Sequence, residues 1–353
     1  MDSPEHKPDY RNILKVLYNQ RPGVLPVYEH HIDVPFVEKA LDRQISLGGN
    51  RPQDFDEYYS VLTGFWKQMG YDAFDYEAAI CEILPGHGAI FGGKQGPIQT
   101  RADFEQYPFE EIPEIFWETY TPHLDSLNRV MPPGMKAFGG CGYGIFETSR
   151  DLVGYEPLCI MMYTDPDLFR DLFIKIGDLF EILWKEMVRR YSELFVFFRM
   201  GDDLGYKNAT MLPPDTIIEH ILPQYRRVVG AVHGGGKKFL LHSCGNIFSV
   251  MEEIIACGID AKHSNEDQIA PFEKWIASYN ERIGLFGGID VDILCQNPYD
   301  EVFRYVLEKG TYYRKITRGW GLGSGNSIPD YTPVEGFMGM IDAAREIRKL
   351  ESS

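Results

Sequence analysis

The feature that most constrains this chain is an alternation: short apolar runs that end in polar or glycine-rich residues, separated by long amphipathic stretches. Repeated β-α units need that rhythm, because a strand covered on both faces reads as a continuous apolar run and its covering helix follows a 3.6-residue period. Eight runs qualify: Val24–Glu29, Ala73–Ala78, Met135–Gly139, Leu194–Arg199, Lys238–His242, Ile259–His263, Ile283–Gly287 and Arg318–Gly323. Asp165-Pro166 opens a helix whose Leu168, Phe169, Leu172, Phe173, Ile176, Leu179, Phe180 and Leu183 form one stripe, which is core packing. Further helices are expected from Pro213-Pro214 to Gly234, from after Asn246 to Gly258, from Asn297-Pro298 to Gly310, and from Thr332-Pro333 through Leu350. Eight strands that each feed a helix predict an α/β fold, a (β/α)8 TIM barrel, rather than an open doubly wound sheet. With 353 residues, 44% of them hydrophobic, the chain can bury one large core. The expectation is a single domain over 1–353, with the first strand inside 20–30 and an elaborated N-terminal region in which 47–133 forms a loop and helix insertion over one barrel end.

A net charge of −17, with no long Lys/Arg cluster, argues against a nucleic-acid or anionic-membrane partner. Residues 1–10 are polar, and no stretch approaches the ~20 apolar residues of a membrane span, so neither secretion nor insertion is expected. Cys81, Cys141, Cys159, Cys244, Cys257 and Cys295 are scattered without CxxC pairing, which reads as free thiols in a reducing, cytoplasmic setting.

In Phe239-Leu240-Leu241-His242-Ser243-Cys244-Gly245-Asn246 an apolar strand ends in an imidazole and a thiol two residues apart. Side chains at i and i+2 share one side of a strand, so His242 and Cys244 emerge together on one rim. A third donor, with a fourth position open, would make a catalytic zinc site. Taken alone, the pair more often describes a strand end with a polar His and a half-buried Cys.

Its company is what points to chemistry. Every other expected strand also ends in polar or glycine-rich residues: Glu29-His30-His31, Asp75-Tyr76-Glu77, Gly139–Gly144 with Tyr143, Arg199–Lys207 with Asp202, Asp203 and Tyr206, His263–Asp267, Gly287–Asp290, and Gly323–Ser327. In a barrel these ends converge on one mouth. Singly, Asp202-Asp203 fits a helix cap and His263 a hydrogen-bonded loop histidine. Tyr143, Phe146, Tyr206 and Trp320 could accept a flat substrate or serve as packing.

Together, Pro26-Val27-Tyr28-Glu29-His30, Gly201–Lys207, Leu241–Asn246, Gly287-Gly288-Ile289-Asp290 and Gly325-Asn326-Ser327-Ile328-Pro329 resemble the uroporphyrinogen decarboxylase superfamily over nearly the whole chain. The His-x-Cys-Gly-Asn segment resembles its corrinoid-dependent (methylcobalamin) methyltransferase branch. That resemblance implies zinc held by His242, Cys244 and a second cysteine after the last strand. It also implies a corrinoid, or cobalamin-type, cofactor carried by a separate partner protein. The true decarboxylases need no cofactor and grip substrate carboxylates with an arginine-rich N-terminal segment; here that stretch is Val27–His31, acidic where it should be basic.

Where the branch has its second cysteine, this chain has Asn326, a poor zinc ligand. The third metal ligand is then expected from a carboxylate or histidine, with Glu29 first and Asp202 or His263 behind it. The resulting expectation is a methyltransferase or demethylase. It would move methyl between a small O- or N-methylated compound and the cobalt of the corrinoid protein, with a homodimer as candidate assembly. Glu29, Asp202, Asp203, Lys207, His242, Cys244 and Asn326 are the candidate catalytic residues, Asp202 or Glu29 protonating the leaving group and Lys207 facing developing negative charge. His30, Tyr143, Tyr206, His263 and Asp290 are the candidate substrate contacts. A cofactor-independent decarboxylase and a non-catalytic small-molecule binding protein are the competing readings.

Overall fold

The computed structural model describes residues 6–47, 49, 51–92 and 94–352. Seven strands form one parallel sheet in sequence order: β1 (Ala73–Ala79), β2 (Lys136–Gly142), β3 (Phe195–Gly201), β4 (Phe239–His242), β5 (Ala261–His263), β6 (Gly284–Ile289) and β7 (Trp320–Ser324). Helices fill the crossovers, among them Pro166–Tyr191, Leu222–Gly234 and Tyr299–Ile316, and Val334–Ser352 closes the chain. The architecture is that of a TIM-like α/β barrel.

The eighth strand departs from expectation. Val24–Glu29 contributes only one parallel bridge, Val27 to Leu322 of β7, backed by Tyr28 N–H to Leu322 O at 2.8 Å and Leu322 N–H to Pro26 O at 3.0 Å. Pro26 has no N–H to extend the ladder. Among the described residues no ladder joins this segment to β1.

Within residues 47–133 the expected strand forms as β1, flanked by the helices Pro52–Met69 and Ile112–Val130. The helix expected to stop at Gly310 continues to Ile316. Gly310 is there for close approach rather than for a cap: a Cβ would lie 2.6 Å from Ile347 Cδ1. Before Leu222 the helix widens over Ile217–Ile221, where Pro223 removes a backbone donor.

Alternation along the strands builds the barrel interior in layers. Phe138 of β2, Phe197 of β3, Phe286 of β6 and Tyr28 stack with centroids 4.6–6.1 Å apart, forming an aromatic floor. Burying each ring stabilises the fold by roughly 1.5–3 kcal/mol. Two residues further along β3, Arg199 begins a polar layer. Among the described residues no helix is long and apolar enough to cross a membrane.

Candidate active site

β4 ends in His242, level with Gly201 of β3 and His263 of β5. Cys244 follows on the same side, its Sγ 3.3 Å from His242 Nε2. The hydrogen-bond chain assigns the tautomers. Ser324 O can only accept, so His263 Nε2, 3.0 Å away, carries a proton. Burial lowers the His263 pKa to about 3 and that of His242 well below the usual range, so both rings are neutral. A neutral ring has one N–H; His263 Nδ1 therefore accepts, and His242 Nδ1, at 2.8 Å, donates. His242 Nε2 is left with a bare lone pair facing the thiol.

Two groups of donors lie within 4.8 Å of one another among the described residues: His30, His242 and His263, and Asp203, His242 and Cys244. The first is spent. Both nitrogens of His263 are engaged as above, and His30 Nδ1 accepts from Arg199 Nη1 at 2.9 Å while its ring stacks on His242 at 3.5 Å. The second group is open to a metal. Zinc bonds of about 2.0–2.3 Å place tetrahedral ligands roughly 3.3–3.8 Å apart. His242 Nε2 lies 3.3 Å from Cys244 Sγ and 3.9 Å from Asp203 Oδ1. The histidine already donates its other N–H to an acceptor, as metal-bound histidines do.

Tight backbone crossings hold this arrangement. Gly205 N–H bonds Cys244 O at 3.2 Å, Cys244 N–H bonds Asp203 Oδ1 at 2.8 Å, and Asn246 N–H bonds Tyr206 O at 2.7 Å. Ser264, in the left-handed region at φ 86°, places its hydroxyl 3.5 Å from Cys244 Sγ, and Asn326 Nδ2 reaches the same sulfur at 3.5 Å. Burial, then Asp203, pushes the Cys244 pKa well up, so without metal it is a thiol.

Glu29 is not brought to this pair. It is fully buried, and its two oxygens take the N–H (2.9 Å) and hydroxyl of Ser324; burial raises its pKa to about 8. Asp202 is equally committed. It accepts from Phe146 N–H at 3.0 Å, Glu147 N–H at 2.9 Å and Tyr225 O–H at 2.7 Å, so it caps the helix Ile145–Val153, with its pKa raised to about 6 by burial. Lys207 and Tyr206 are exposed on the loop over Cys244. Tyr143 adopts φ 61° and donates its N–H to Glu77 at 3.1 Å. Asp290 caps the helix Val291–Gln296 and lines a cleft of about 350 Å³ with Glu266, Asp292, Asn326 and Tyr331.

Three groups escaped the sequence reading. Arg199 is wholly buried, ion-paired to Asp75 at 3.0 Å and to Glu77; burial works against its charge, but the two carboxylates outweigh that and hold its pKa high. A lone arginine inside Phe195–Gly201 was the available signal. Lys262 is buried over the Trp275 ring at 4.0 Å, donating to Ser243 O and Ser264 O, with burial lowering its pKa to about 7. Glu147 lies in the first turn of the helix Ile145–Val153; burial and then Asp203 push its pKa well up.

The family model described as uroporphyrinogen decarboxylase matches residues 65–347. No curated protein sequence matches the chain. Among solved structures, a methyltransferase from Methanosarcina mazei is similar over 95% of this chain and 98% of its own, with a TM-score of 0.76 and 15% identity. A broad-specificity endoglucanase from an uncultured bacterium covers 96% of this chain and 97% of its own at a TM-score of 0.46 and 10% identity. A glycoside hydrolase family 5 enzyme from Prevotella bryantii covers 96% and 99% at 0.44 and 7%.

Proposed function

Because the chain belongs to the uroporphyrinogen decarboxylase family, we propose that it is a corrinoid-linked methyltransferase that moves methyl between a small methylated compound and the cobalt of a separate corrinoid protein. The observation that carries the reading is the open donor set of His242 Nε2, Cys244 Sγ and Asp203, with the His242 lone pair directed by His263. The fold likeness to a methyltransferase supports it.

Zinc at these three donors would supply a Lewis acid that polarises an oxygen, nitrogen or sulfur of the reacting compound. The chain's own residues do the rest. His263 keeps the proton on His242 Nδ1, Asn326 and Ser264 donate toward the Cys244 sulfur, and Arg199 ties His30 and Glu77 into a rigid wall beside the donors. The aromatic floor closes the mouth from below and excludes water there.

A porphyrinogen decarboxylase is disfavoured by charge. The buried arginine is consumed by Asp75 and Glu77, and Glu266, Asp290 and Asp292 line the cleft beside Asn326, where a polycarboxylate would be repelled. Metal analysis of protein purified without chelator tests the metal: about one zinc per chain is expected, and less than a tenth would refute it. Methylation of reduced corrinoid protein from a panel of methoxyaromatics and methylamines tests the activity; no transfer across the panel would overturn it.

A further inference from the structure

We infer that Lys262 is a positioning residue: it holds Ser264 in a left-handed backbone, so that the Ser264 hydroxyl stays on the Cys244 sulfur and limits how strongly that sulfur donates to a bound metal. The inference rests on the metal site proposed at Asp203, His242 and Cys244 and deepens it.

The placement of the charge is the first reason. Lys262 lies on β5 level with Leu241 of β4 and is 2% exposed. Strand alternation turns His263 toward His242 and Lys262 to the opposite face, against the helix Phe272–Tyr279. A strand of a parallel sheet ordinarily presents an aliphatic side chain to such a layer. An ammonium buried there is costly unless its N–H groups are taken up. Nζ donates to Ser243 O at 3.4 Å and to Ser264 O, and it lies 4.0 Å from the centre of the Trp275 ring. Its three N–H groups are thereby used, so Lys262 acts through what it holds rather than on a substrate.

What it holds is the second. Ser243 stands between His242 and Cys244, and Ser264 follows His263, so one ammonium ties the ends of β4 and β5 together. Ser264 has φ 86°, a region that a residue with a Cβ rarely adopts. Its successor Asn265 is anchored by its N–H to Gly325 O at 2.9 Å, by its amide to Phe286 O at 2.9 Å and by Gly288 N–H at 2.8 Å. The charge-assisted bond at Ser264 O fixes the near side of the same turn. Held from both sides, Ser264 directs its Oγ to Cys244 Sγ at 3.5 Å.

The consequence is electronic. A hydrogen bond to a thiolate draws charge from the sulfur and leaves a bound metal the stronger Lewis acid. Without the clamp Ser264 relaxes out of the left-handed region, and its hydroxyl leaves the sulfur.

Cobalt(II)-substituted full-length protein tests this. Ser264→Ala removes the hydroxyl and should move the thiolate-to-metal band to lower energy, with zinc affinity in a chelator competition falling about tenfold. Lys262→Met should do the same, and should add nothing in a Ser264→Ala background, because both act on one bond. A Lys262→Met band at the wild-type position, or shifts that add in the double variant, would overturn the inference. Melting of the metal-free proteins is a second arm, open even to a weakened Lys262→Met. In a Ser264→Gly background, where positive φ is no strain, Lys262→Met should lower the melting temperature less than it does in the wild type. Equal losses in the two backgrounds would overturn the clamp. Wild-type protein that takes up no cobalt would instead remove the metal site itself, and the tuning of its sulfur with it.

Discussion

The Nδ1 atoms of His242 and His263 lie 2.8 Å apart, and the proton between them belongs to His242 because Ser324 O claims the only N–H of His263. The metal-facing character of His242 Nε2 is therefore set one residue away, on the neighbouring strand. Replacing His263 with Ala leaves His242 free to adopt the other tautomer, which blocks Nε2. Zinc affinity should fall 10–100-fold in a chelator competition, and His263→Asn, which keeps an acceptor, should lose less. Equal affinities for the wild type and His263→Ala would refute the assignment.

Glu29 makes stability fall with alkalinity. Its folded pKa of about 8 lies above the ordinary 4.5, so the folded state binds the proton more tightly. That contribution is complete below about pH 4.5 and disappears as pH rises through 8; its full size is on the order of 4–5 kcal/mol. Urea midpoints measured at pH 6 and pH 9 should drop less for Glu29→Gln than for the wild type. Parallel losses in both proteins would count against a neutral Glu29.

Arg199→Met should destabilise the protein by about 3–5 kcal/mol, because Asp75 and Glu77 would remain buried or half-buried without their counter-charge. Chemical denaturation reads the loss. A change below 1 kcal/mol would show that the ion-paired wall contributes little to stability.

Gly245 sits at φ 80°, where a Cβ would lie 2.2 Å from the Gly205 carbonyl carbon. Gly245→Ala should cost roughly 1–3 kcal/mol in unfolding and displace Cys244. The visible spectrum of the cobalt(II)-substituted protein should lose thiolate-to-metal intensity; an unchanged spectrum and melting temperature would contradict the crossing.

Much of the element pattern was legible in the residues themselves. Seven apolar runs became β1 to β7 within a few residues, since hydrophobic period and cap chemistry are local. The placement of His242 and Cys244 on one side follows from strand alternation, which is equally local. What meets them was settled by tertiary structure. Level pairing of Gly201, His242 and His263 sets three strand ends side by side, and the Gly205–Gly245 crossing turns Asp203, rather than Glu29, toward the thiol. Asp202 and Asp203 are neighbours in sequence, yet one caps a helix and the other faces the mouth, because contacts more than forty residues distant differ for each. Sequence period specifies which way a side chain leaves its own strand, whereas its partners depend on register and loop closure across the barrel.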